Sequence, residues 1–142
     1  MPKVVNALMS DSTGPRTFIV ANRLPLEYDS DAGWRSAPGG LVSALEAALA
    51  GTDAVWVGWH GGPSTLDERG HRPVQPTAPG TLPLVDVPLS HSEVTDYYDG
   101  FCNGALWPLY HEAIVPPVFR EEQFAAYQRI NQRFAARVAA IA

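Results

Sequence analysis

Two apolar runs flanking one amphipathic stretch constrain this chain most. Thr17-Phe18-Ile19-Val20-Ala21 is β-branched and aromatic, and Ala54-Val55-Trp56-Val57-Gly58-Trp59 is apolar throughout. Runs of this kind read as strands, and one that is apolar on both faces suits a parallel strand covered by helices. Between them, Leu41, Leu45, Ala48 and Leu49 recur at helical spacing until the stop signal Gly51. The unit is β-loop-α-β, whose crossover is right-handed and whose strands run parallel. The fold class that follows is α/β, a mostly parallel sheet with flanking helices.

Further along, 23–38 reads as a loop carrying Asp29, Asp31, Gly33 and Trp34, and 60–80 as an irregular Gly- and Pro-rich excursion. Leu82 to Val87 is a third strand that Pro83 pushes toward a sheet edge or a strand start. Ser90 and Glu93 have capping-box spacing and open a helix through Tyr97 and Tyr98. Phe101 to His111 is aromatic-rich, with Pro108 breaking any long helix. After Pro116-Pro117, Glu121 to Ala142 is the clearest helix, with Phe124, Tyr127, Ile130, Phe134, Val138 and Ile141 three or four residues apart. A helix of this kind covers a sheet and leads into another strand. The expectation is a flexible leader over 1–16 and, over 17–142, the beginning of a larger domain. A partial sheet of this sort is expected to be marginally stable alone.

Composition narrows the function classes. A chain of 142 residues with 46% hydrophobic and 18% charged residues buries one ordinary globular core. The net charge of -5 argues against a nucleic-acid partner. No apolar stretch is long enough to span a bilayer, and Met1 to Pro15 lacks the apolar core of a secretory signal. The single Cys102 allows no intrachain disulfide and fits a reducing, cytoplasmic setting.

The chemistry-bearing residues start at Arg23, where the first strand ends in Asn22-Arg23-Leu24-Pro25. Open α/β sheets place ligands at that edge, and arginine's planar fork suits a phosphate. A surface ion pair with Glu27 or Asp29 is the other reading. Pro38-Gly39-Gly40-Leu41 opens the next helix, where glycine backbone amides and the helix dipole favour an anion. The pair lacks Gly-x-Gly-x-x-Gly spacing, which disfavours NAD or FAD. Tyr97, Tyr98 and Trp107 offer apolar faces with polar tips that match a sugar, or else they pack the core. His60, His71, His91 and His111 show no metal-ligand spacing, Cys102 reads as a small buried residue, and no nucleophile elbow is visible. Binding groups are evident; a catalytic group is not.

Phe18-Ile-Val-Ala-Asn-Arg-Leu-Pro25, Trp34-Arg-Ser-Ala-Pro-Gly-Gly-Leu-Val-Ser-Ala-Leu45, Trp56-Val-Gly-Trp59 and Tyr97-Tyr-Asp-Gly-Phe-Cys-Asn-Gly-Ala-Leu-Trp-Pro-Leu-Tyr-His111 together resemble the N-terminal part of the trehalose-6-phosphate synthase family. The resemblance is collinear from about Thr17 to the end of the chain. It implies a partial Rossmann-like N-terminal domain of a two-domain (GT-B) retaining glycosyltransferase. It implies transfer of glucose from UDP-glucose to glucose 6-phosphate, giving α,α-trehalose 6-phosphate and UDP, with no metal or cofactor and with homo-oligomeric full-length members. By the same resemblance Arg23 and Tyr98 meet the acceptor's phosphate, Gly39 and Gly40 the UDP-glucose donor, and Trp107 selects the anomer in the acceptor pocket. The family's later His-Asp-Tyr-type segment and its basic nucleotide-binding pair do not occur here. The expectation is therefore a chain inactive alone, with a non-catalytic sugar-phosphate-binding module as the alternative.

Overall fold

The computed structural model describes residues 16–29, 33–37, 40–49, 51–62, 83–112 and 114–142. Three strands form a parallel sheet in the order β1 (Thr17–Arg23), β4 (Ala54–Trp59), β5 (Leu84–Asp86). Between β1 and β4 in sequence lies α1 (Gly40–Leu49), the expected crossover helix. Residues 63–82, which hold most of the 60–80 excursion, and Gly39 lie outside the described residues.

β4 is buried at every position, because it has a neighbour on each side and packing on both faces. β1 is less enclosed than β4. Among the described residues it is a sheet edge, and Val20 is 53% exposed. Proline at 83 has the expected place: it precedes β5, has no N–H to donate, and its carbonyl accepts the Trp56 N–H at 2.9 Å. Alternation sends Val55, Val57 and Trp59 into the main core and Trp56 and Gly58 to the opposite face, and both tryptophans are buried.

The stretch read as loop 23–38 holds a hairpin. β2 (Leu26–Asp29) pairs antiparallel with β3 (Gly33–Ser36), with Tyr28 opposite Trp34, and the Ala37 N–H to Pro25 carbonyl bond at 2.9 Å continues the ladder. Two four-residue strands carry too little periodicity to stand out, whereas their cross-strand pairing is a tertiary fact. On α1 the half-buried face is Val42, Leu45 and Leu49, and Ala48 is exposed, contrary to its expected side.

The helical stretch after β5 begins as read. Ser90 caps α2 (His91–Glu93), its hydroxyl accepting the Glu93 N–H at 3.3 Å, while the Glu93 carboxylate accepts the Ser90 N–H at 2.9 Å. The same carboxylate pairs with Arg133, at 2.6 and 3.0 Å, tying this helix to α4 (Glu121–Ala139). Pro108 does not break the helix. The chain continues as a wide, i→i+5 bonded π-helix (Val94–Leu106) and a last turn, α3 (Trp107–Tyr110), whose first turn tolerates a proline without an N–H. Beside it, the Gly104 carbonyl accepts the Val118 N–H at 3.0 Å.

α4 ends at Ala139, and its buried stripe is Ala126, Ile130 and Phe134, with Tyr127, Val138 and Ile141 partly buried beside it. Phe124 lies past the sheet and is largely exposed, touching Phe101 at a ring separation of 5.4 Å rather than the core. The core proper joins this stripe to Val55, Val57, Val85, Val87 and Leu89 and to Tyr97 and Cys102 of the wide helix. All three parallel strands therefore deliver their C-terminal ends, Arg23, Trp59 and Asp86, to one edge under the wide helix.

Candidate functional site

Arg23 reaches that edge through a β-bulge. Val20 pairs with Val57 but Arg23 with Trp59, so β1 carries one extra residue over that interval. Bulges re-aim side chains, and here the bulge needs Gly58. A Cβ at Gly58 would lie 2.7 Å from the Arg23 carbonyl carbon and 2.8 Å from the Leu24 nitrogen. The bulged backbone is held by the Trp56 Nε1–H to Arg23 carbonyl bond at 3.2 Å and the Leu24 N–H to Trp59 carbonyl bond at 2.8 Å. Asn22, inside the bulge, accepts from the Tyr97 hydroxyl at 2.7 Å and so ties β1 to the wide helix.

The exposed Arg23 guanidinium lies over the Trp59 indole, its Cζ 5.8 Å from the ring centroid. Tyr98 meets the same indole edge-on, with centroids 5.5 Å apart. Trp59 thus seats a cation and a phenol within one patch, which sequence alone had only placed far apart in the chain. A guanidinium and a phenolic hydroxyl are both hydrogen-bond donors, and together they suit an anion.

Trp107 is 52% exposed and stacks on His111, with centroids 4.6 Å apart at 15°. The ring Nδ1 of His111 lies 2.9 Å from the Trp107 carbonyl. Tyr98 and Trp107 are nine residues apart, two and a half turns of an α-helix, which would put them on opposite sides. Here Tyr98 lies within the i→i+5 helix, which winds more residues into a turn than an α-helix does, and Trp107 follows directly after it as the first residue of α3. A flat apolar ring then lies farther along the helix from the anion-binding pair. Of the glycine pair, Gly40 is the first residue of α1, and Gly39 lies outside the described residues.

The alternative partners of Arg23 cannot be placed beside it, since the Glu27 and Asp29 side chains lie outside the described ones. Cys102 is buried, and burial raises its thiol pKa, while its hydrogen bonds to Asn22 and Tyr97 oppose the shift, so it is no nucleophile. Burial first, then the neighbouring Cys102, raises the Tyr97 hydroxyl as well, which keeps it a neutral donor to Asn22. Among the described residues no three His, Cys, Asp or Glu side chains form a group that could hold a metal.

Sequence reasoning missed four residues of this edge: Trp59 as its hub, His60 with Asp86, and Gly61. Their local signal was the run Gly58-Trp59-His60-Gly61-Gly62 directly after a strand. A glycine-rich turn at a strand's C-terminal end marks a close backbone approach, which Gly61 makes at φ 82°.

A cation and aromatic rings gathered at the C-terminal edge of a parallel α/β sheet suit a phosphorylated ligand, and the chain belongs to glycosyltransferase family 20, whose sequence model matches residues 15–142. The chain is 41% identical over 121 residues to a trehalose-6-phosphate synthase of Mycolicibacterium gilvum, covering 82% of this chain and 24% of that protein. It therefore spans about a quarter of the length of the curated relatives it matches. Its fold matches that of the E. coli protein solved with UDP-2-fluoro glucose, with a TM-score of 0.66 and 24% identity over 90% of this chain and 25% of that one. It also matches an α,α-trehalose-phosphate synthase (UDP-forming) from Burkholderia xenovorans in complex with glucose-6-phosphate, with a TM-score of 0.65 and 23% identity over 91% of this chain and 26% of that one. These neighbours are GT-B trehalose-phosphate synthases, and the three-stranded parallel sheet with its helices is the corresponding partial Rossmann-like α/β fold. Among the described residues no helix is long and apolar enough to cross a membrane.

Proposed function

We propose that this protein carries the acceptor-side wall of a synthase that transfers glucose from UDP-glucose to glucose 6-phosphate, giving α,α-trehalose 6-phosphate and UDP. One observation carries the reading: Arg23 and Tyr98 lie on the same Trp59 ring at the C-terminal edge of the parallel sheet. Arg23 takes the acceptor's phosphate through charge-assisted hydrogen bonds, and Tyr98 donates to the same group. Trp107, at the start of α3, packs against the sugar ring and sets which anomer fits. Gly39 and Gly40 let α1 backbone amides approach the donor's phosphates at a helix N-terminus.

What these residues do is bind and orient. They hold the acceptor sugar by its phosphate and leave its reacting hydroxyl turned toward the donor, which converts an encounter into a positioned reaction. Stabilising the UDP leaving group needs further cationic groups. We therefore propose that the 142 residues by themselves do not turn over. A non-catalytic sugar-phosphate-binding module uses the same residues, and the described side chains, which include binding groups alone, are what favour it as the second reading.

Titration calorimetry with glucose 6-phosphate and with glucose tests the assignment. Arg23→Ala is expected to weaken glucose 6-phosphate binding by about 10- to 100-fold, the range of a hydrogen bond to a charged group. Glucose binding stays as it was. An equal loss for both sugars would remove the phosphate from Arg23. Release of UDP by the protein supplied with both substrates separates synthase from module.

A further inference from the structure

We infer that Asp86 is a positioning residue for Arg23, acting through the turn that follows β4; the inference rests on the reading of Arg23 as the acceptor's phosphate ligand. Asp86 closes β5 beside the end of β4. One of its carboxylate oxygens accepts the His60 backbone N–H at 3.1 Å and lies 2.9 Å from His60 Nδ1. Both side chains are nearly buried, at 10% and 13% exposure. A carboxylate has no proton to give, so His60 Nδ1 carries the proton of this contact. The main chain and the ring of His60 are thereby fixed at a single point.

That point sets the course of the next two residues. Gly61 takes the left-handed conformation, φ 82°, and a Cβ there would lie 2.8 Å from Arg23 Cζ and 3.0 Å from Arg23 Nε. The guanidinium therefore rests on the bare backbone of Gly61. The far side of the turn is closed by the Trp59 Nε1–H donating to the Gly62 carbonyl at 3.1 Å, from the same indole that lies under Arg23. Arg23 thus has two supports, the Trp59 ring and the Gly61 backbone, joined by one turn that Asp86 anchors. An arginine held this way loses less freedom when it grips an anion, and affinity rises for that reason without a new contact. Asp86 acts on Arg23 through this turn.

The experiment is glucose 6-phosphate binding, by calorimetry, to the protein carrying Asp86→Ala, Asp86→Asn, Arg23→Ala and the Arg23→Ala/Asp86→Ala pair. Asp86→Ala is expected to weaken binding roughly three- to tenfold, within the coupling range of residues sharing a network. Asp86→Asn keeps an acceptor oxygen and restores affinity to within about twofold of the parent. In the Arg23→Ala background, Asp86→Ala has no further effect. Parental affinity for Asp86→Ala, or the same loss with and without Arg23, overturns the inference. If Asp86→Ala does not fold, Gly61→Ala carries the test, with a similar loss expected and an unchanged affinity overturning it. Parental affinity for Arg23→Ala fails the functional reading itself, a result distinct from any of these.

Discussion

Gly58→Ala tests the bulge that aims Arg23. In a strand, replacing glycine with alanine ordinarily stabilises, by about 0.5–1 kcal/mol, because glycine loses more freedom on folding. At Gly58 the new methyl would stand 2.7 Å from the Arg23 carbonyl carbon, 2.8 Å from the Leu24 nitrogen and 3.0 Å from the Ala21 oxygen. These are backbone atoms, so no rotamer change relieves the contact. β1 must move away from β4, straining the Leu24 to Trp59 and Trp56 to Arg23 hydrogen bonds. Overpacking of this kind costs about 1–3 kcal/mol, which offsets the entropic gain and leaves a net loss of up to about 2.5 kcal/mol. Urea unfolding reads it as a lowered midpoint at constant slope. Because the displaced atoms belong to Arg23, glucose 6-phosphate affinity is expected to fall by about tenfold in the same variant. Gly51→Ala is the control. Gly51 sits at φ 78° with nothing within 4 Å of a built Cβ, so the change costs about 1 kcal/mol of backbone strain and spares binding. A Gly58→Ala protein more stable than its parent, with affinity intact, would refute the reasoning.

Two further outcomes follow from packing and charge. Ile130→Ala empties a fully buried position under the sheet and is expected to cost about 2–5 kcal/mol in urea unfolding. Phe124→Ala costs less despite the larger side chain, because Phe124 is largely exposed; a reversed order would contradict the core assignment. The Arg133 hydrogen bond is the chief cause holding the Glu93 carboxyl below its ordinary 4.5, with burial opposing it. A lowered folded-state pKa gives stability that is present above the unfolded value and lost as pH falls through the folded one. The stability gap that the pair contributes between parent and Arg133→Ala, below about 1 kcal/mol because the pair is partly exposed, is therefore expected at pH 7 and should shrink as pH falls below 4.5, leaving the share of the Arg133 bond to the Pro88 carbonyl. A gap unchanged over this range would remove the pair as its cause.

The signals legible in the sequence lie close together in the chain. Arg23 follows a short apolar run, Ser90 and Glu93 are three apart, and the α4 stripe repeats every three or four residues. Each of these signals fits within one element, and the structure keeps β1, β4, the capping box and α4. The hairpin of β2 and β3, the continuous helix across Pro108 and the exposed Phe124 escaped notice, because each depends on what an element packs against. Pro108 is tolerated because it falls in the first turn of α3, where a missing N–H is least costly.

By itself the sequence determined an α/β chain with an arginine at a strand end, a tyrosine and a tryptophan in an aromatic helix, and the motifs that tie it to glycosyltransferase family 20. The tertiary structure decided how those groups meet. It made Trp59 the common seat of Arg23 and Tyr98, widened the helix that carries Tyr98, and set Asp86 beneath the turn that bears Arg23. The physical reason is range. Periodicity and capping are read over a few residues, whereas Asn22 meets Tyr97 across 75 positions and His60 meets Asp86 across 26. Contacts so distant leave no spacing in the chain, and they exist only once the sheet has brought its strand ends to one edge.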